Sequence, residues 1–101
     1  MKYRSSTEII DNILESIGSG ATKTHIMYGA FLSYSQLCEY LGLLQKRDLI
    51  RLEEGTRLYL ITEKGLEFMI AFQEIKELVA PAKVRNDNHV KNLAGASLVL
   101  A

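Results

Sequence analysis

The chain reads as a mainly α protein with a small β-hairpin, and three observations lead there. Four polar residues able to cap a helix, Ser5, Thr22, Ser33 and Thr62, each stand ahead of apolar residues at helical spacing. Two short apolar segments, residues 49–53 and 57–61, flank a glycine-containing turn. The stretch from Thr22 to Arg47 contains a short helix, a tight turn and a longer helix with its own start signal.

The first helix is expected over residues 5–17. Ser5 and Glu8 have capping-box spacing, and Ile9, Ile10, Ile13, Leu14 and Ile17 form one apolar stripe. Gly18-Ser19-Gly20 ends it, because glycine accepts the left-handed conformation found at helix C-termini. A second helix follows from Lys23 to Gly29, with Thr22 as N-cap and Ile26 and Met27 turned inward. Ala30-Phe31-Leu32 then leads into the third helix, whose capping box is Ser33 with Gln36. Leu37, Tyr40, Leu41 and Leu44 give that helix a core-facing stripe. Its opposite face is polar or small: Ser35, Glu39, Gly42 and Lys46, with Gln36 and Cys38 at the edges. Lys46 and Arg47 close it, where cations favour the helix dipole.

The hairpin is expected to turn at Glu54-Gly55-Thr56. Thr62 caps a fourth helix that runs to about Val79 and is closed by Pro81. Leu66, Met69 and Ile70 are expected to cover the domain body. Phe68, Phe72, Ile75 and Val79 have the 3–4 rhythm of a helix-to-helix seam and make a homodimer the expected state; their competing use is as intramolecular core. Residues 82–92 read as a polar linker. Residues 93–101 are apolar, and either dock on a partner's helix or take no fixed structure. The chain thus divides into residues 1–62, a C-terminal helix over 63–80, and a tail over 81–101.

Composition bounds the function. About half the residues are apolar and a quarter charged, the balance of a globular chain rather than a disordered one. No apolar run approaches the ~20 residues that span a bilayer, and the N-terminal stretch lacks the apolar centre of a secretory signal. One cysteine and two scattered histidines offer neither an internal disulfide nor a metal-ligand set, so a reduced, cytoplasmic protein without metal is expected. No paired carboxylates, nucleophile–base pair or phosphate loop suggests an enzyme, a cofactor or a small-molecule effector. Lysine plus arginine equals aspartate plus glutamate, which counts against nucleic acid as a partner. The distribution tempers that. Glu8, Asp11 and Glu15 sit on the first helix, whereas Lys23, Lys46, Arg47, Arg51 and Arg57 lie in the middle of the chain.

Helix, helix, helix, hairpin, helix is the order of a winged helix. Tyr59, Ile61, Thr62 and Gly65 match the hairpin–helix junction of that fold, where an aromatic and an aliphatic residue precede Thr-x-x-Gly. Three blocks, STEIIDNILESI, TKTHIMYGAFLSYSQLCEYLGLL and ITEKGLEF, together resemble a family of small archaeal winged-helix proteins. Members are described as predicted transcriptional regulators, and some are nucleoid proteins that dimerise through an antiparallel coiled coil. The resemblance covers roughly residues 3–79. Asp48 departs from it, standing where the family has glycine before Leu-Ile, and the last helix meets Pro81 sooner than the rod of the nucleoid members.

The resemblance implies a winged helix-turn-helix followed by a dimerisation helix, with residues 33–47 in the major groove of double-stranded DNA and the 49–61 hairpin as wing. Ser33, Tyr34, Ser35 and Gln36 would then face base edges, and glutamine can pair with adenine. Lys23 and Thr24 would meet phosphate at a helix start, Thr56 and Arg57 would reach the neighbouring backbone or minor groove, and Lys46 joins the DNA-binding set. Blander uses compete: Ser33 and Gln36 as caps alone, Tyr34 packed on its loop, and Arg51, His25 and Cys38 as ordinary surface side chains. The functions that remain are a dimeric, nucleoid-associated transcriptional regulator, a non-specific chromatin-type binder, and a winged helix used only for protein contacts.

Overall fold

The computed structural model describes residues 4–80, so the linker and apolar segment expected over 81–101 lie outside it. Its elements are α1 (Ser6–Ile17), α2 (Lys23–Gly29), α3 (Tyr34–Lys46), β1 (Ile50–Glu53), β2 (Leu58–Ile61) and α4 (Glu63–Val79). All four expected N-caps form. Ser5 and Ser33 close capping boxes with Glu8 and Gln36, while the Thr22 and Thr62 hydroxyls accept from the amides of His25 and Gly65. The stripes of α1, α2 and α3 converge on one core whose largest fully buried side chains are Ile13, Leu14, Ile17, Ile26, Leu37, Leu44 and Ile50. The strands pair antiparallel with Ile50 opposite Ile61 and Glu53 opposite Leu58.

A third strand position has no counterpart in the sequence pattern. Ala21, between α1 and α2, exchanges both backbone bonds with Tyr59 at 2.8 and 3.1 Å. One residue gives no periodicity to read, yet it ties the hairpin to the helices.

Two helices end in the same way. After α2, the Phe31 amide donates to the Tyr28 carbonyl and that of Leu32 to Met27; after α3, Asp48 donates to Gln45 and Leu49 to Leu44. These are Schellman turns, and each needs a left-handed residue just past the helix. Phe31 (φ 55°) and Asp48 (φ 65°) fill positions where glycine is the unstrained choice. The hairpin turns where expected. Its loop spans residues 54–57 and its left-handed residue is Arg57 (φ 63°). A four-residue loop closing on Leu58 places its sharp bend last, so the Arg57 amide reaches the Glu53 carbonyl at 2.7 Å.

The first helical turns of α4 correct an expectation. Leu66 and Ile70 are exposed and do not cover the body. Gly65 sets the helix's contact face: a Cβ there would lie 2.3 Å from the Leu49 carbonyl oxygen, so α4 sits directly on the β1 approach. At about 100° per residue, Leu66 and Ile70 point well away from Gly65, whereas Phe68, Met69 and Phe72 lie near it. Phe68 and Met69 pack on the core, and the Phe68 and Phe72 rings stack at 5.9 Å between centroids. On the same face Lys76 reaches Asp11 at 3.6 Å. Asp11, grouped by sequence with the solvated acids of α1, is in fact buried. Its carboxylate keeps an ionic partner, without which its burial would be costly.

Candidate nucleic-acid interface

The anchored side of α3 is apolar and its outward side is free. Leu37, Leu41 and Leu44 are buried, and Ser35, Glu39, Gly42 and Lys46 are exposed. A Cβ on Gly42 would meet nothing within 4 Å, so the middle of this face stands open. Among the described residues, no other element covers it.

At the leading end of α3 the start of α2 comes alongside. The Lys23 ammonium lies 5.5 Å from the centre of the Tyr34 ring, a cation–π arrangement that keeps the charge beside the first turn of α3. Tyr34 remains 61% exposed, so its ring is not packed away on the loop. Thr24 and Ser35 are exposed too. Lys23, Thr24, Tyr34 and Ser35 therefore form one surface of a cation, two aliphatic hydroxyls and an aromatic ring.

The other expected residues stand differently. Ser33 and Gln36 are engaged with each other: the Gln36 amide donates to Ser33 Oγ at 3.1 Å and the Ser33 amide to Gln36 Oε1 at 3.2 Å. A paired bond from Gln36 to adenine would compete with that cap. Thr56 is similarly committed, donating to Glu53 Oε1 at 3.0 Å and accepting from the Leu58 amide at 3.3 Å. These bonds shape the hairpin tip. Arg57 is exposed at that tip, and Lys46 is exposed about 18 Å along α3 from Tyr34. Exposed carboxylates of Glu39, Glu53 and Glu54 stand among these cations, so the surface carries both signs of charge.

Two features near this end escape sequence reasoning. Phe31, in the turn, is 81% exposed. Arg4 reaches that same turn from ahead of α1, donating to the Ala30 carbonyl at 2.7 Å and the Phe31 carbonyl at 3.0 Å. No local pattern signals a contact across 27 positions. On another side, Ile10, Leu43, Leu44, Leu49 and Phe68 line an open, mostly apolar groove of about 490 Å³ between α1, α3 and α4, with Arg47, Lys64 and Glu67 at its edge.

Comparison with known proteins agrees with this architecture. A family model described as winged helix-turn-helix matches residues 3–80. The crystal structure of Sso10a-2, a DNA-binding protein from Sulfolobus solfataricus, superimposes with a TM-score of 0.64 at 30% identity, covering 83% of this chain and all of that one. No curated protein sequence matches.

Proposed function

Because the chain belongs to the winged helix-turn-helix family, we propose that it is a non-enzymatic, DNA-binding regulator that offers the leading end of α3 to the major groove of duplex DNA. One observation carries the reading: the half-buried Lys23 lies over the Tyr34 ring, with Thr24, Tyr34 and Ser35 exposed, at the start of a helix whose other side is locked in the core. A recognition helix needs that division of labour. The similar chain from Sulfolobus solfataricus is itself a DNA-binding protein. In this reading Lys23 and Thr24 take phosphate where the free amides of the α2 N-terminus already favour an anion. Arg57, at the wing tip, takes the neighbouring backbone, while Ser33 and Gln36 hold the helix start in shape. Lys46 and Thr56 flank the contact.

Duplex binding across a salt series tests this. The log–log slope of affinity against salt is expected to flatten by about 0.9 for each phosphate left without its cation. Lys23→Ala and Arg57→Ala should each flatten it by that amount, and failure of the unaltered protein to retain duplex even at low salt would leave only a protein-contact role. Competition with unrelated duplex separates a sequence-reading regulator from a chromatin-type binder.

We further infer a homodimer seam on α4 through Phe68, Phe72, Ile75 and Val79. Ile75 and Val79, 54% and 74% exposed, extend the Phe68–Phe72 stack past the domain body. Ile75→Asp places a charge in the seam without disturbing the packed phenylalanines. It should convert dimer to monomer in sedimentation, and an unchanged mass would remove the seam from consideration.

A further inference from the structure

We propose that Arg4 is a positioning residue for α3: its guanidinium bridges α1 to the turn ahead of the helix and so fixes where the leading end stands. The inference rests on the DNA-binding reading of that end. Three bonds define the bridge. One nitrogen donates to Asn12 Oδ1 at 2.9 Å and to the Ala30 carbonyl at 2.7 Å; the other donates to the Phe31 carbonyl at 3.0 Å.

These carbonyls are special by position. The Schellman turn after α2 uses the carbonyls of Met27 and Tyr28, leaving those of Ala30 and Phe31 with no backbone donor among the described residues. They lie just past the C-terminus of α2, where a cation is favoured. A planar guanidinium can serve two successive carbonyls and a side-chain amide at once, which an ammonium on a flexible stem does less well. The Phe31 side chain, 81% exposed, adds no packing of its own, so between the buried Ala30 and Leu32 the left-handed peptide itself is held by Arg4. Ser33 and Tyr34, the cap and first residue of α3, follow within three positions of Phe31. Whatever fixes this turn fixes the surface that Lys23 and Tyr34 share.

Arg4→Lys in the full chain tests the bridge, with a mixed-sequence duplex of about three helical turns as probe, at a temperature where circular dichroism shows both proteins fully folded. Loosening the turn lowers the fraction of molecules in the binding-competent arrangement, and a drop of about tenfold in that fraction lowers affinity by the same factor. The expected result is a loss of that size with an unchanged salt slope, since Arg4 meets carbonyls rather than phosphate. Asn12→Ala should give a smaller loss of the same kind. Hydrogen exchange without DNA supplies an independent readout: the Phe31 and Leu32 amides should exchange faster in Arg4→Lys, and those of Ile13 and Leu14 should not. Unchanged affinity and unchanged exchange in the folded variant would overturn the proposal. A slope shallower by about 0.9 would also overturn it, by making Arg4 a direct phosphate ligand. Absence of binding by the unaltered protein would be recognised separately, because it removes the DNA-binding reading and this use of Arg4 together.

Discussion

The chain enters α3 through Phe31 at φ 55° and leaves it through Asp48 at φ 65°. Both turns close with the same pair of backbone bonds, and both have their left-handed carbonyl held by a side chain from elsewhere. Their difference lies in the fit of residue to conformation. Aspartate visits the left-handed region readily, because its short polar side chain suits it; phenylalanine does so at a cost of roughly 1–2 kcal/mol. The tethers follow that order. Asp48 is held by one neutral hydroxyl, Thr62 Oγ1 at 2.7 Å, whereas the Phe31 turn is held by a charged fork with three acceptors. Helix α3 is thus located from its two ends, by groups that leave its outward face free.

The comparison breaks most severely at the trailing end through Gly65. A methyl group there would meet the Leu49 carbonyl oxygen at 2.3 Å and the Ile61 side chain at 2.7 Å, and Leu49 is the residue that completes the Asp48 turn. Gly65→Ala should cost about 2–3 kcal/mol, as overpacking at a rigid backbone contact does. In a domain of this size that lowers the melting temperature by roughly 10 °C or more. Thermal unfolding by circular dichroism reads it, and a shift of only a degree or two would mean that α4 does not sit where this packing has it.

Next in size is the tether itself. Thr62 Oγ1 donates to the Asp48 carbonyl and accepts from the Gly65 amide at 3.0 Å, so Thr62→Val removes a turn bond and a helix cap together. The loss should be about 1–2 kcal/mol in urea unfolding with an unchanged m-value. A neutral result would show that water replaces the hydroxyl without penalty. The trailing turn would then stand without its tether, and the parallel with the leading end would be lost.

What can be read from sequence divides along the same line. The caps are legible because a capping box is complete within four residues, as Ser5 with Glu8 and Ser33 with Gln36 illustrate. The outward face of α3 is legible because Leu37, Leu41 and Leu44 fix the other side by spacing alone. Asp48 is legible as a strained turn because it stands where the resembled family has glycine. By contrast, the Arg4 bridge, the Lys76 partner of Asp11 and the Ala21–Tyr59 pairing join residues far apart in the chain, and nothing near any of them announces the other. The orientation of α4 fails for a related reason. Leu66 and Ile70 look like core from their chemistry, but the close approach at Gly65 turns them outward. In the candidate site, the polar residues of the α3 start are visible in the sequence. That Gln36 and Thr56 are already engaged with their neighbours needs three-dimensional geometry.

The smallest effect is also the sharpest test of the comparison, and it comes from replacing each left-handed residue by glycine. Phe31→Gly removes roughly 1–2 kcal/mol of backbone strain and restores to the unfolded chain about 0.5–1 kcal/mol of glycine's extra freedom. Because the Phe31 side chain is 81% exposed, little burial is lost. The balance is a gain of about 0.5–1 kcal/mol. Asp48→Gly starts from less strain, so its two contributions nearly cancel and the change should stay within about 0.5 kcal/mol. Urea midpoints for both variants measured side by side decide the matter. Equal gains would mean that phenylalanine is no worse suited to its turn than aspartate, and the stronger tether from Arg4 would then answer to something other than strain. A loss at Phe31→Gly would go further, because it would show that the ring itself holds the turn and shares with Arg4 the placing of α3.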